Sequence, residues 1–86
     1  MYILTLFKKV ITMKLDRITI VPHIMGGKPC IRGMRFPVSR VLGLLASGQT
    51  IEEILKNHPD LEREDILQSL QYAALISENE IVEFAK

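Results

Sequence analysis

Three runs of helical periodicity, divided by strong punctuation, leave the second half of this chain little choice of fold. Val38, Val41, Leu42 and Leu45 recur at i, i+3, i+4 and i+7, which puts them on one face of a helix. Pro37 suits the first helical position, and Gly48 is placed as the left-handed cap that ends the run. The next run opens on "TIEE", a capping box with Thr50 at N-cap and Glu53 at N3. Ile51, Ile54 and Leu55 form its inner face, and "NHPD" breaks it, because Pro59 disfavours helix at His58. Asp60 can cap the third helix. Glu62, Glu64 and Asp65 enrich the first turn of that helix in acids, as the helix dipole prefers, and Ile66, Leu67, Leu70, Ala73 and Ala74 supply a third apolar face. The expected helices lie near 38–47, 50–57 and 62–76. The eight side chains expected to be most buried are Val41, Leu42, Leu45, Ile54, Leu55, Ile66, Leu67 and Leu70. Gly43, inside the first helix, either allows a close backbone approach or is simply tolerated at a cost of about 1 kcal/mol relative to Ala.

Ahead of the helices the pattern is β. "RITIV" alternates Ile18 and Ile20 against Arg17, Thr19 and Val21, and Pro22 stops it. "CIRGMRFP" reads as a hairpin, with Gly33-Met34 as a type II′ loop, Arg32 opposite Arg35 and Ile31 opposite Phe36. Two arginines facing each other are mildly repulsive and imply an anion between them, either external or an acid from elsewhere in the chain. The expected fold class is mainly α: a three-helix, helix-turn-helix (homeodomain-like) core preceded by a short antiparallel β element.

Eighty-six residues make one small domain, for which dimerisation or a partner is a reasonable expectation. The single cysteine excludes an internal disulfide framework and fits a reducing cytoplasm. The net charge of +1 hides a division. Residues 1–48 carry eight Lys and Arg against Asp16 alone, whereas residues 49–86 carry three against nine acids. Such asymmetry implies that the basic half meets an anion, or that the two halves pair within a homodimer.

The chemistry-bearing residues concentrate in "GGKPCIRGMRFPVSR", Gly26 to Arg40. It holds no acid and offers Lys28, Arg32, Arg35 and Arg40 as an anion-facing patch for DNA or a protein partner. "GGKP" lacks the G-x-x-x-x-G-K-[ST] pattern of a phosphate-binding loop. Cys30 lies among cations that would activate an exposed thiol, but in a strand it reads as a small buried hydrophobe. His23 and His58 stand apart, with no metal-ligand spacing. No catalytic residue, metal or cofactor is expected, and no enzymatic activity.

The first twelve residues, "MYILTLFKKVIT", are too short and too poorly flanked for a membrane span or a signal peptide. They read as an extension ahead of Met13, with an interfacial anchor or an added strand as the functional alternative. Residues 13–86 then form the single helix-turn-helix domain, ending in a tail, "SENEIVEFAK", that fits either a helix end or a short strand for docking a partner.

Gly27 to Val38, Gly48, Pro59 to Leu61, Asp65-Ile66 and Tyr72-Ala73 carry a resemblance. Across about residues 16–76 the chain resembles the small prokaryotic family catalogued as domain of unknown function number 433. The resemblance implies a helix-turn-helix core with an N-terminal β element. It also implies an antitoxin-like role beside a PIN-like ribonuclease toxin. Two departures stand out: residues 1–12 lie outside the family pattern, and Glu62 replaces the usual Ser or Thr cap. Three readings are open. The chain is an antitoxin-like protein that neutralises a PIN-like toxin and binds its own operator DNA, a stand-alone DNA-binding regulator, or a structural homodimer without nucleic-acid binding.

Overall fold

The structure is a computed structural model that describes residues 15–79. The expectations for residues 1–12 and for the tail beyond Asn79 lie outside the described residues.

Strand β1 (Ile18–Thr19) pairs antiparallel with β2 (Cys30–Ile31), in the register Ile18 to Ile31 and Thr19 to Cys30. Between them runs a loop with one turn of 3-10 hydrogen bonding at Met25–Gly27. On the other side of β2, Cys30 bridges Pro37, and the Ile31 N–H donates to the Phe36 carbonyl at 2.9 Å. β2 is therefore flanked on both sides. The expected Ile31–Phe36 pairing is present, but the expected longer strand through Val21 is confined to two residues.

Helices α1 (Val38–Ala46), α2 (Ile51–Asn57) and α3 (Arg63–Asn79) complete the chain's described part. Pro37 is the N-cap of α1 rather than its first helical residue. The α1 terminus closes as a Schellman motif: Gly48 N–H donates to Leu45 O at 3.0 Å and Gln49 N–H to Leu44 O at 3.2 Å. At α2 the capping box is complete. Glu53 N–H donates to Thr50 Oγ1 at 3.1 Å, and Thr50 N–H donates to Glu53 Oε1 at 2.8 Å. α3 runs three residues past the expected end and includes Ser77.

Helix α3 packs against α1, α2 and β1. The core consists of Ile31, Val38, Val41, Ile54, Leu61 and Ile66, with Leu42, Leu45, Leu55, Phe36 and Tyr72 partly buried around it. The inner stripes of α1 and α2 are those expected. The phase of α3 is not. Leu70 is 42% exposed, Leu67 is only half-buried and Ala74 is exposed, whereas Asp65, Gln68 and Ser69 face inward. Polar residues hold the inner side of this helix because side chains and backbone from the start of the described chain reach across to it. A pattern of apolar residues alone therefore points to the wrong face.

Candidate functional site

The side chain at the centre of the molecule is a carboxylate. Asp65 has no exposed surface, yet both of its oxygens are fully engaged. Oδ1 accepts from Arg17 NH1 and Arg32 Nε, each at 3.0 Å, and Oδ2 accepts from Arg32 NH2 and from the Glu62 N–H, each at 2.8 Å. Arg32 thus grips Asp65 with two parallel bonds, the strongest geometry open to an arginine–carboxylate pair. Arg17 also reaches Glu62 at 2.6 Å, so two cations and two anions close a neutral cluster. Burial pushes the Asp65 carboxyl up, but the hydrogen bonds from Arg32, the Glu62 backbone and Arg17 outweigh it and hold the group below the usual carboxylate range. Both arginines are pushed up: hydrogen bonding to Glu62 and then Asp65 does this for Arg17, and hydrogen bonding to Asp65 for Arg32.

Asp65 is also the local cap of α3. Its bond to the Glu62 N–H satisfies a donor that the helix itself leaves open, the acid half of a capping box. Glu62, standing where a Ser or Thr cap is usual, turns instead to Arg17. The expected Asp60 cap is replaced by Asp65, and the Asp60 carbonyl accepts from Arg32 NH2 at 2.7 Å.

The hairpin turn is built to deliver Arg32 to this place. Met34 N–H donates to Ile31 O at 2.7 Å, so the central residues are Arg32 and Gly33, both with positive φ, 43° and 72°. That is a type I′ arrangement, one residue earlier than the expected Gly33-Met34 loop. Left-handed backbone is unfavourable for arginine, and the fork on Asp65 offsets the strain. Gly33 N–H donates to Thr19 Oγ1 at 2.8 Å, which ties the turn to β1. Arg32 consequently lies on Asp65 rather than opposite Arg35: the anion that holds it comes from the same chain.

The other expected site residues are distributed differently. Arg35 is exposed, with no acidic partner among the described residues. Arg40 lies over the Phe36 ring at 4.8 Å, a cation–π contact, and His58 meets the same ring edge-on at 5.3 Å. Lys28 borders an open apolar groove of about 370 Å³ between α1 and α3, lined also by Pro29, Val38, Leu42, Tyr72 and Ile76. The structure therefore leaves Lys28, Arg35 and Arg40 without an acidic partner among the described residues, and engages Arg32 internally. Gly26 and Gly27 supply positive φ to the 3-10 turn, at 67° and 85°, so the Gly-Gly pair serves a bend. Cys30 is buried at 1% exposure. Among the described residues no group of His, Cys, Asp and Glu could hold a metal ion, and no helix is long and apolar enough to cross a membrane.

Sequence reasoning missed Asp65, Arg17 and Gln68 as organising residues. Gln68 accepts from the Arg17 N–H at 3.0 Å and donates to Asp16 Oδ1 at 2.9 Å, fastening the start of the described chain to α3. The available signal was the division of charge itself, which called for an internal acceptor as much as an external one.

The profile of the family described as "Protein of unknown function (DUF433)" matches residues 18–73, from β1 to the middle of α3. The chain belongs to the DUF433 family. The match spans the hairpin, the capped α2 and the Asp65 cluster apart from Arg17. A solved structure of a DUF433 member protein from Anabaena variabilis ATCC 29413 is similar, with a TM-score of 0.65 and 27% identity over 91% of this chain and 74% of that one. The uncharacterized protein y4eO of Sinorhizobium fredii (strain NBRC 101917 / NGR234) is 39% identical over 56 residues, 65% of this chain. The chain spans a quarter of the length of that relative.

Proposed function

We propose that this chain is an antitoxin-like, protein-binding member of the DUF433 family: a cytoplasmic homodimer without catalytic activity that neutralises a PIN-like ribonuclease toxin. The family resemblance implies that role, and one observation favours it over DNA reading. In a helix-turn-helix protein the N-terminal residues of the third helix meet base edges. Here that end carries Glu62, Glu64 and the buried Asp65, and its one cation, Arg63, is turned to Glu52 at 3.2 Å. Phosphates would be repelled from this surface.

The alternative, a stand-alone DNA-binding regulator, draws on Lys28, Arg35 and Arg40 among the described residues. Each phosphate neutralised adds a slope of about −0.9 to the dependence of log K on log salt, so these three would supply about −3. Binding of the chain's own operator, as a second activity of the antitoxin, would rest on the same cations. The third reading, a homodimer held by pairing of its basic and acidic halves, loses weight because Arg17 and Arg32 already meet Asp65 and Glu62 within one chain.

The test is co-expression with the product of the adjacent gene. The proposal expects a PIN-like reading frame there, co-purification of its product with this chain, and suppression of ribonuclease activity in the complex. Failure to co-purify, together with a shift of the chain's own promoter fragment at physiological salt, would overturn it in favour of the regulator.

A further inference from the structure

The groove between α1 and α3 is apolar, open and unexplained by the function proposed above. Val38, Leu42, Tyr72 and Ile76 line it, with Lys28 and Pro29 at its border, and Ile76 remains 40% exposed. The sequence holds one further apolar feature that the fold has not absorbed, the run Tyr2, Ile3, Leu4, Leu6 and Phe7. The two are near each other along the chain's path. Gln68 fastens Asp16 and the backbone of Arg17 to α3. Tyr72 lies one helical turn further along α3 from Gln68, and Ile76 two turns, roughly 12 Å of rise. The eight residue steps from Leu15 back to Phe7 span up to about 26 Å when extended, so the apolar run reaches the groove without strain. Charge agrees with this placement. Lys8 and Lys9 follow the apolar run directly, and Glu78 lies beyond Ile76 on a helix whose last turn contains no basic residue.

We propose that the groove lined by Val38, Leu42, Tyr72 and Ile76 is the docking site of this chain's own N-terminal segment, with the apolar side chains of Tyr2–Phe7 as its occupant. The segment covers the exposed part of α3 and sets Lys8 and Lys9 toward Glu78. It thereby acts as an intramolecular cap on a face that is otherwise open to other apolar partners. This inference does not rest on the antitoxin reading.

Disulfide trapping in the full-length chain tests it. In a Cys30→Ser background, which removes the buried native thiol, Ile76→Cys is combined in turn with a cysteine at each of positions 2 to 7. Each protein is oxidised at low concentration and followed by non-reducing electrophoresis and intact mass. A parallel series with Glu53→Cys, on the exposed side of α2, reports random encounter. The expected result is a monomeric, internally cross-linked species for at least one pair with Ile76→Cys, at several times the yield of the Glu53→Cys series. Yields equal to those of the Glu53→Cys series at every position would overturn the proposal. Cross-linked dimers alone would overturn it too, and would assign the groove to the segment of a second copy. Circular dichroism of each reduced variant establishes that it is folded before the yields are compared.

Discussion

A carboxylate with no exposed surface is costly unless every lone pair is met, and Asp65 meets this condition with four donors. Removing its charge leaves Arg17 and Arg32 facing an amide. Asp65→Asn should therefore cost about 3 kcal/mol in urea unfolding, at the lower end for breaking a buried pair because the arginines can partly rehydrate. The same group sets the acid limb of stability. An unfolded aspartate titrates near about 3.9, and in the fold Asp65 is held lower. Its contribution is complete above the unfolded value and is lost as pH falls through the folded one. Wild-type stability should drop between pH 5 and 2 (roughly the window of such a carboxylate), and Asp65→Asn should flatten that drop. Arg35→Ala, by contrast, should leave the melting temperature unchanged, since Arg35 is exposed and has no acidic partner among the described residues.

At the scale of elements, the helices were legible where local chemistry marks them. The Thr50–Glu53 box, Gly48 and Pro59 fixed three helix ends to within about a residue, because caps are decided by neighbours in sequence. The face of α3 was not legible, because Asp65 and Gln68 are turned inward by groups that lie 33 to 52 residues away. Ser69, likewise buried, satisfies its hydroxyl locally on the Asp65 carbonyl at 2.8 Å. The type I′ turn was missed by one residue for a related reason: positive φ at Arg32 makes sense only once its distant partner is known. The corrected phase gives a contrast to measure. Ile66→Ala should cost about 2–5 kcal/mol, as a fully buried residue does, while Leu70→Ala should cost far less. Gly43 meets nothing within 4 Å of where a Cβ would sit, so the close-approach reading fails. Gly43→Ala should raise stability by up to about 1 kcal/mol in thermal unfolding.

For the whole molecule, the division between a basic first half and an acidic second half is resolved in part within one chain. The β element brings Arg17 and Arg32 onto the N-terminal end of α3, which both caps that helix and ties sheet to helix. What remains for partners is a smaller set, Lys28, Arg35 and Arg40, beside an apolar groove. Sequence alone placed all four hairpin cations in one patch; the structure separates Arg32 from the others. The claim that Arg32 and Asp65 form the central link between the β element and the helices is tested most directly by a double-mutant cycle. Arg32→Ala, Asp65→Asn and the combined variant are unfolded in urea at pH 7. The account predicts strong coupling, with the double variant losing clearly less stability than the two single losses added together. Losses that add to within roughly 0.5 kcal/mol, the range seen for independent sites, would contradict it.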